Sequence, residues 1–132
     1  MTRVIDASTV LAVCRQETGM QEARLLMRSG LISAVNLHEV LMKSQSDNKR
    51  EHAESIVRLA GLRVVGFDET QARLATDIAE KTRGMNLSLA DRACLSLGRS
   101  RNLPIVSGDR LWAELDVGVE VILFRAAQPK KL

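Results

Sequence analysis
Five short runs rich in apolar residues punctuate this chain: Val4-Ile5, Leu31-Ile32-Ser33, Leu62 to Phe67, Leu103 to Ser107 and Val119 to Phe124. The stretches between them carry apolar residues at helical spacing. A chain that alternates short strands with amphipathic helices has few ways to bury both kinds of apolar surface. The pattern predicts an α/β fold with a mostly parallel five-stranded sheet and helices on both faces.

The helical stretches are explicit. Ala23, Leu26 and Met27 share a face, with Gly30 as a C-terminal stop. Leu37, Val40, Leu41 and Ser44 form a second stripe, Ala53, Ile56, Val57 and Ala60 a third, and Ala75, Ile78, Ala79 and Thr82 a fourth. Asp68 is placed to cap that fourth helix, and Ser88 begins another that reaches about Arg101. Gly108-Asp109 reads as a sharp turn into a short helix around Leu111 to Leu115. No repeat, low-complexity segment or linker interrupts the pattern. One domain is therefore expected over residues 1–132, with a short basic tail at about 126–132.

Composition matters for what it excludes. No apolar run approaches the roughly 18 residues needed to span a bilayer, and only two apolar residues separate Arg3 from Asp6, unlike a signal peptide. Cys14 and Cys94 lack CxxC spacing and nearby His pairs, which suggests buried thiols in a reducing, cytoplasmic setting. Phe67, Trp112 and Phe124 are the only aromatic residues, too few for a protein that binds single strands by base stacking. Net charge is +3; with several acids withdrawn into one site, the remaining surface would be more basic still and would suit a polyanion.

The acids are the candidate chemistry. Asp6 and Asp109 follow strands directly, at carboxyl ends where sites form in open parallel sheets. Asp91 lies three residues after Ser88, and Glu39 lies off the apolar stripe of its helix. Each has an ordinary alternative. Asp6 and Asp109 could be plain N-caps, Ser88-x-x-Asp91 has the form of a capping box, and Glu39 could simply be solvated. Taken together, carboxylates converging on one sheet edge would repel one another, and hard divalent cations relieve that cost. Such ions can activate water and stabilise a phosphoryl transition state without a nucleophilic side chain. Ser8 and Ser107 could orient an acid or act as caps. No GxxxxGK[ST] or GxGxxG occurs, and His38 and His52 fall in no recognisable triad.

The set Val4-Ile5-Asp6-Ala7-Ser8, Asn36-Leu37-His38-Glu39-Val40, Leu89-Ala90-Asp91 and Ile105-Val106-Ser107-Gly108-Asp109-Arg110 resembles a PIN domain, with the closest likeness to VapC-type toxins of bacterial toxin–antitoxin pairs. The resemblance runs the length of the chain, in order and at normal spacing. It implies a three-layer α/β/α sandwich and a magnesium- or manganese-dependent endoribonuclease, cytoplasmic and homodimeric. It also implies inhibition by a small antitoxin that covers the acidic cleft. By position, Asp6, Glu39, Asp91 and Asp109 become the acidic site. Asp6 and Asp91 would be direct metal ligands, Glu39 and Asp109 able to join them, and Ser8 and Ser107 supporting polar groups. Ser107 stands where the family often has Thr, which keeps the hydroxyl.

Two other functions compete with that expectation. An α/β phosphohydrolase of the Asp-nucleophile type wants a second acid two residues after the first, where this chain has Ser8. A catalytically inactive RNA- or partner-binding module would keep the fold without needing the acids.

Overall fold
A computed structural model describes residues 1–125. The expected basic tail at 126–132 lies outside the described residues. The strands are β1 (Val4–Ile5), β2 (Leu31–Ser33), β3 (Arg63–Val65), β4 (Ile105–Ser107) and β5 (Val121–Leu123). The helices are α1 (Ala7–Cys14), α2 (Met20–Leu26), α3 (Ala34–Ser46), α4 (Arg50–Leu59), α5 (Glu69–Lys81) and α6 (Leu89–Arg101), with a 3-10 turn at Arg110–Glu114.

All five strands form one wholly parallel sheet in the order β3-β2-β1-β4-β5. Its centre explains its layers. Successive strand side chains point to opposite faces. Ile5, Ile32 and Val106 therefore join the core beneath α1 to α4, with Val10, Met27 and Val40. Val4, Leu31 and Ile105 join the opposite core, with Ile78 of α5, Leu95 of α6 and Trp112. Each fully buried aliphatic side chain contributes about 1.5–3 kcal/mol relative to exposure. The expected three-layer α/β/α arrangement is the observed one.

Helix starts follow the local chemistry. The Asp68 side chain accepts from the Gln71 N–H at 2.9 Å, and Ser88 and Asp91 close a reciprocal capping box at the start of α6. Two local expectations need correction. Gly30 is not the residue that stops α2; Ser29 takes the left-handed conformation, at φ 57°. Gly30 is required by close approach, since a Cβ there would lie 2.7 Å from Ile5 Cγ1 and 2.9 Å from the Arg3 carbonyl oxygen. The run Leu62 to Phe67 yields only the edge strand Arg63–Val65, because its one neighbour, β2, offers just Leu31, Ile32 and Ser33 to pair with.

This strand order decides where a site can form. The chain lays β1, β2 and β3 outward in one direction, then returns to place β4 on the free side of β1. Connections diverge above β1 and β4, and that crevice is where ligands bind in open α/β sheets.

Candidate active site
Asp6 is the first residue after β1 and occupies the N-cap position of α1, yet its side chain caps nothing. It is turned toward β4 instead. Ser8 Oγ donates to Asp6 Oδ2 at 2.6 Å, and Ser107 Oγ donates to the same oxygen at 2.8 Å. The two hydroxyls also accept backbone bonds from the β4 turn: Gly108 N–H to Ser8 Oγ at 3.0 Å and Asp109 N–H to Ser107 Oγ at 3.1 Å. With those acceptor positions used, each hydroxyl proton goes to Asp6. The Asp6 N–H and the Thr9 hydroxyl both donate to the Val106 carbonyl, at 3.0 and 2.9 Å. Residues about one hundred positions apart are thereby tied across β1 and β4.

The other acids arrive on separate elements. Glu39 stands on the second turn of α3, half-buried, with Oε2 accepting from Lys43 Nζ at 3.4 Å. Asp91 Oδ2 accepts from the Ser88 N–H at 2.9 Å in the capping box, and Asp109 Oδ1 accepts from the Leu111 N–H at 3.0 Å. The capping readings therefore hold for Asp91 and Asp109, and fail for Asp6. All four acids nevertheless line one cleft of about 270 Å³, together with Ser8. Each acid commits one carboxylate oxygen to a structural hydrogen bond and leaves the other with no hydrogen-bond partner among the described residues.

Electrostatics separates an inner group from a rim. Asp6 is 5% exposed, and burial pushes its carboxyl from the ordinary 3.8 up to about 6. The Ser8 and Ser107 hydrogen bonds pull against that rise, while the charges of Asp91 and Glu39 add to it. Burial likewise raises the Cys94 thiol well above its ordinary value, and the same three acids reinforce the effect. Asp6, Glu39 and Asp91 thus form one electrostatically coupled set above a buried, unreactive Cys94. Asp109 is exposed at the rim.

An all-oxygen donor set under mutual repulsion has the chemistry that a hard divalent cation requires. The free oxygens fit that role. No three His, Cys, Asp or Glu side chains are gathered tightly enough to cage an ion among the described residues. The acids converge on the cleft without being preassembled around a point.

Several participants carry no clear sequence signal. Arg15, Glu17 and Arg125 line the cleft, with Arg125 Nη2 bonded to Glu17 Oε1 at 3.1 Å and stacked over Phe124. Trp112 is buried and forms part of the wall. Gly108 allows this crowding, because a Cβ there would lie 2.8 Å from Phe124 Cζ. Asn36 is wholly buried on α3 and donates to the Ala90 carbonyl at 3.0 Å, which sets α6 beside α3 and Asp91 near Glu39. Lys43 was legible as the i+4 partner of Glu39. His38 is exposed and is not part of the cleft wall.

A family model described as PIN domain matches residues 3–118. No curated protein sequence matches the chain. Among solved structures, the chain resembles one from DNA-bound VapBC of Salmonella typhimurium, with 19% identity, a TM-score of 0.74, and coverage of 94% of this chain and 99% of that one. It also resembles a chain of VapBC-5, a member of the VapBC family of toxin–antitoxin systems from Mycobacterium tuberculosis, with 20% identity, a TM-score of 0.67, and coverage of 95% and 98%. A chain of FitAcB from Neisseria gonorrhoeae is similar at 18% identity and a TM-score of 0.63, covering 92% and 96%. At these identities the likeness establishes the fold.

Proposed function
The chain belongs to the PIN domain family, and from that premise we propose that it is a metal-dependent endoribonuclease acting as the toxin of a type II toxin–antitoxin pair. The observation that carries this reading is the single cleft lined by Asp6, Glu39, Asp91 and Asp109, each keeping one oxygen free. Its position at the switch point of the sheet supports a ligand site. The toxin role draws support from fold relatives that include toxin–antitoxin complexes.

In this reading Asp6 and Asp91 are direct ligands of Mg²⁺ or Mn²⁺, with Glu39 and Asp109 completing the set. A bound divalent ion supplies neutralisation of phosphate charge and activation of water near neutral pH. The chain's own residues do the rest. Ser8 and Ser107 hold one Asp6 oxygen so that the other faces the cleft. The Ser88 backbone does the same for Asp91. Arg15, Lys43 and Arg125 offset the acids on the cleft wall, and the net charge of +3 favours approach of RNA. A small antitoxin covering the cleft, a homodimer and a cytoplasmic setting belong to the same proposal. Among the described residues no helix is long and apolar enough to cross a membrane.

The test is cleavage of defined RNAs by purified protein with Mg²⁺ or Mn²⁺. Asp6→Asn should abolish cleavage while circular dichroism shows an intact fold. Full activity in a folded Asp6→Asn protein would refute the assignment. A second reading, an inactive RNA- or partner-binding module, is favoured by one observation: every acid already has a structural bond, and no three form a cage among the described residues. Calorimetric titration with Mn²⁺ separates the two, since a module without the site gives no heat that depends on Asp6 and Asp91.

A further inference from the structure
Six buried side-chain nitrogens and oxygens lack a hydrogen-bond partner among the described residues. Two of them, Trp112 Nε1 and Arg125 Nε, belong to residues that line the acidic cleft. Both are donors. An unmet buried donor is costly, and folded proteins normally supply it with an acceptor. The cleft holds four carboxylates, yet neither donor is bonded to one. Trp112 is 1% exposed, so its indole is fixed in the wall and cannot turn its N–H to water. What the two residues lack is an acceptor that the described chain does not provide.

Arg125 is held at stem and head. A Cβ at Gly19 would lie 3.2 Å from its Cγ, and a Cβ at Gly108 would lie 2.9 Å from its Nε. The guanidinium stacks over Phe124 at 4.9 Å from the ring centroid, and Nη2 donates to Glu17 Oε1 at 3.1 Å. Glu17 occupies one donor of a fork that carries five, and no other side-chain bond of Arg125 occurs among the described residues. The other cleft cations are spent differently: Lys43 bonds Glu39 of the acid set, and Arg15 places its Nε on Asp47 at 2.8 Å. Arg125 is therefore a preset planar fork with unused donors, resting on Gly108 beside the exposed rim acid Asp109.

We propose that Arg125 and the Trp112 indole N–H form a phosphate seat at the rim of the cleft, gripping the backbone phosphate next to the scissile one in the RNA strand. The proposal deepens the ribonuclease reading above and rests on it. Phosphate suits these donors, because its oxygens accept a bidentate pair from a guanidinium and a further bond from a single N–H. A fork already fixed by Glu17, Phe124 and two glycines avoids most of the ordering cost of a long side chain. The neighbouring phosphate is the one assigned, since Arg125 stands at the Asp109 rim while Asp6 holds the buried end of the cleft. The seat explains how an acid-lined cleft gains hold of a polyanion.

Trp112 is the only tryptophan and the chain has no tyrosine, so intrinsic emission reports on the seat. The full chain carrying Asp6→Asn, to spare the RNA, is titrated with a single-stranded oligonucleotide across a salt series, reading Trp112 emission and the anisotropy of labelled RNA. Binding should change the Trp112 emission. Adding Arg125→Met should weaken RNA binding roughly 10-fold and reduce the slope of log affinity against log salt by about 0.7, for one lost phosphate contact. Arg125→Lys should keep the slope, because the charge remains, and still lose affinity, because the fork is gone. With Asp6 intact, Arg125→Met should bind Mn²⁺ in calorimetry no more weakly than the unaltered chain. Loss of Mn²⁺ binding together with RNA binding overturns the seat, since Arg125 then only holds the cleft in shape. RNA affinity unchanged in Arg125→Met, or RNA binding that leaves Trp112 emission unaltered, also overturns it, while cleavage by the unaltered chain keeps the ribonuclease reading standing. Should Arg125→Met fail to fold, Arg125→Lys decides, and an affinity equal to the parent's overturns the seat. Absence of cleavage by the unaltered chain brings down the ribonuclease reading and the seat with it.

Discussion

Replacing Asp6 with Asn should stabilise this protein at neutral pH, although Asp6 sits at the centre of its polar network. The carboxyl is buried, and its folded value of about 6 lies above the ordinary 3.8. The folded state therefore binds this proton more tightly than the unfolded chain does. Its contribution is fully favourable below pH 3.8 and is lost as pH rises through about 6. At 1.36 kcal/mol per unit, the ionised carboxylate costs about 3 kcal/mol above that window. Asn is neutral throughout. Its carbonyl oxygen can occupy the Oδ2 position and accept from Ser8 and Ser107, while its amide takes the free position in the cleft. Urea denaturation of both proteins at half-unit steps from pH 4 to pH 8 isolates the effect, because the charges remote from the cleft are the same in both. The variant should be more stable by about 3 kcal/mol at pH 8, roughly 10 °C in Tm for a chain of this size. The advantage should vanish near pH 4. A variant less stable than the parent at pH 8, or a difference that does not change with pH, would refute the burial argument.

Three further outcomes follow from the same geometry. Mn²⁺ at a hundred times its dissociation constant should stabilise the unaltered protein by about 2.7 kcal/mol in the same denaturation assay, and Asp6→Asn should lose most of that gain. Ser107→Ala removes a donor to Asp6 and an acceptor for the Asp109 N–H, so it should cost about 1 kcal/mol and raise the Asp6 pKa further, as read by carboxyl NMR titration; Ser107→Thr should restore both. Asn36→Ala removes the bond to the Ala90 carbonyl, which keeps its partner within α6, so it should cost about 1 kcal/mol, and it should weaken Mn²⁺ binding in calorimetry because α6 carries Asp91. An Asn36→Ala protein with unaltered metal affinity would show that α6 is positioned by its apolar face alone.

Much of the local architecture was readable because its causes are local. Apolar runs mark strands, Asp68 and Ser88 cap helices through neighbouring N–H groups, and Asp6 and Asp109 end strands by their place in the chain. What failed locally failed for tertiary reasons. Gly30 looked like a helix stop, but its lack of a side chain is needed by Ile5 of β1 and by the Arg3 backbone just before that strand. Asp6 looked like a cap, but two serine hydroxyls draw it across to β4. Arg15, Glu17, Asn36 and Arg125 gave no pattern because their partners lie far along the chain or depend on which helices become neighbours.

The amino-acid sequence by itself determined the elements and the ends at which the acids stand, since side-chain periodicity and capping act over a few residues. Tertiary structure alone decided that β4 lies beside β1. Strand order depends on which way each right-handed crossover steps across the sheet, through packing between residues far apart in the chain, and no local signal encodes it. That one adjacency brings Ser107 and Gly108 onto Asp6 and Ser8, buries Asp6 enough to hold its proton to about pH 6, and opens the crevice into which α3 and α6 carry Glu39 and Asp91.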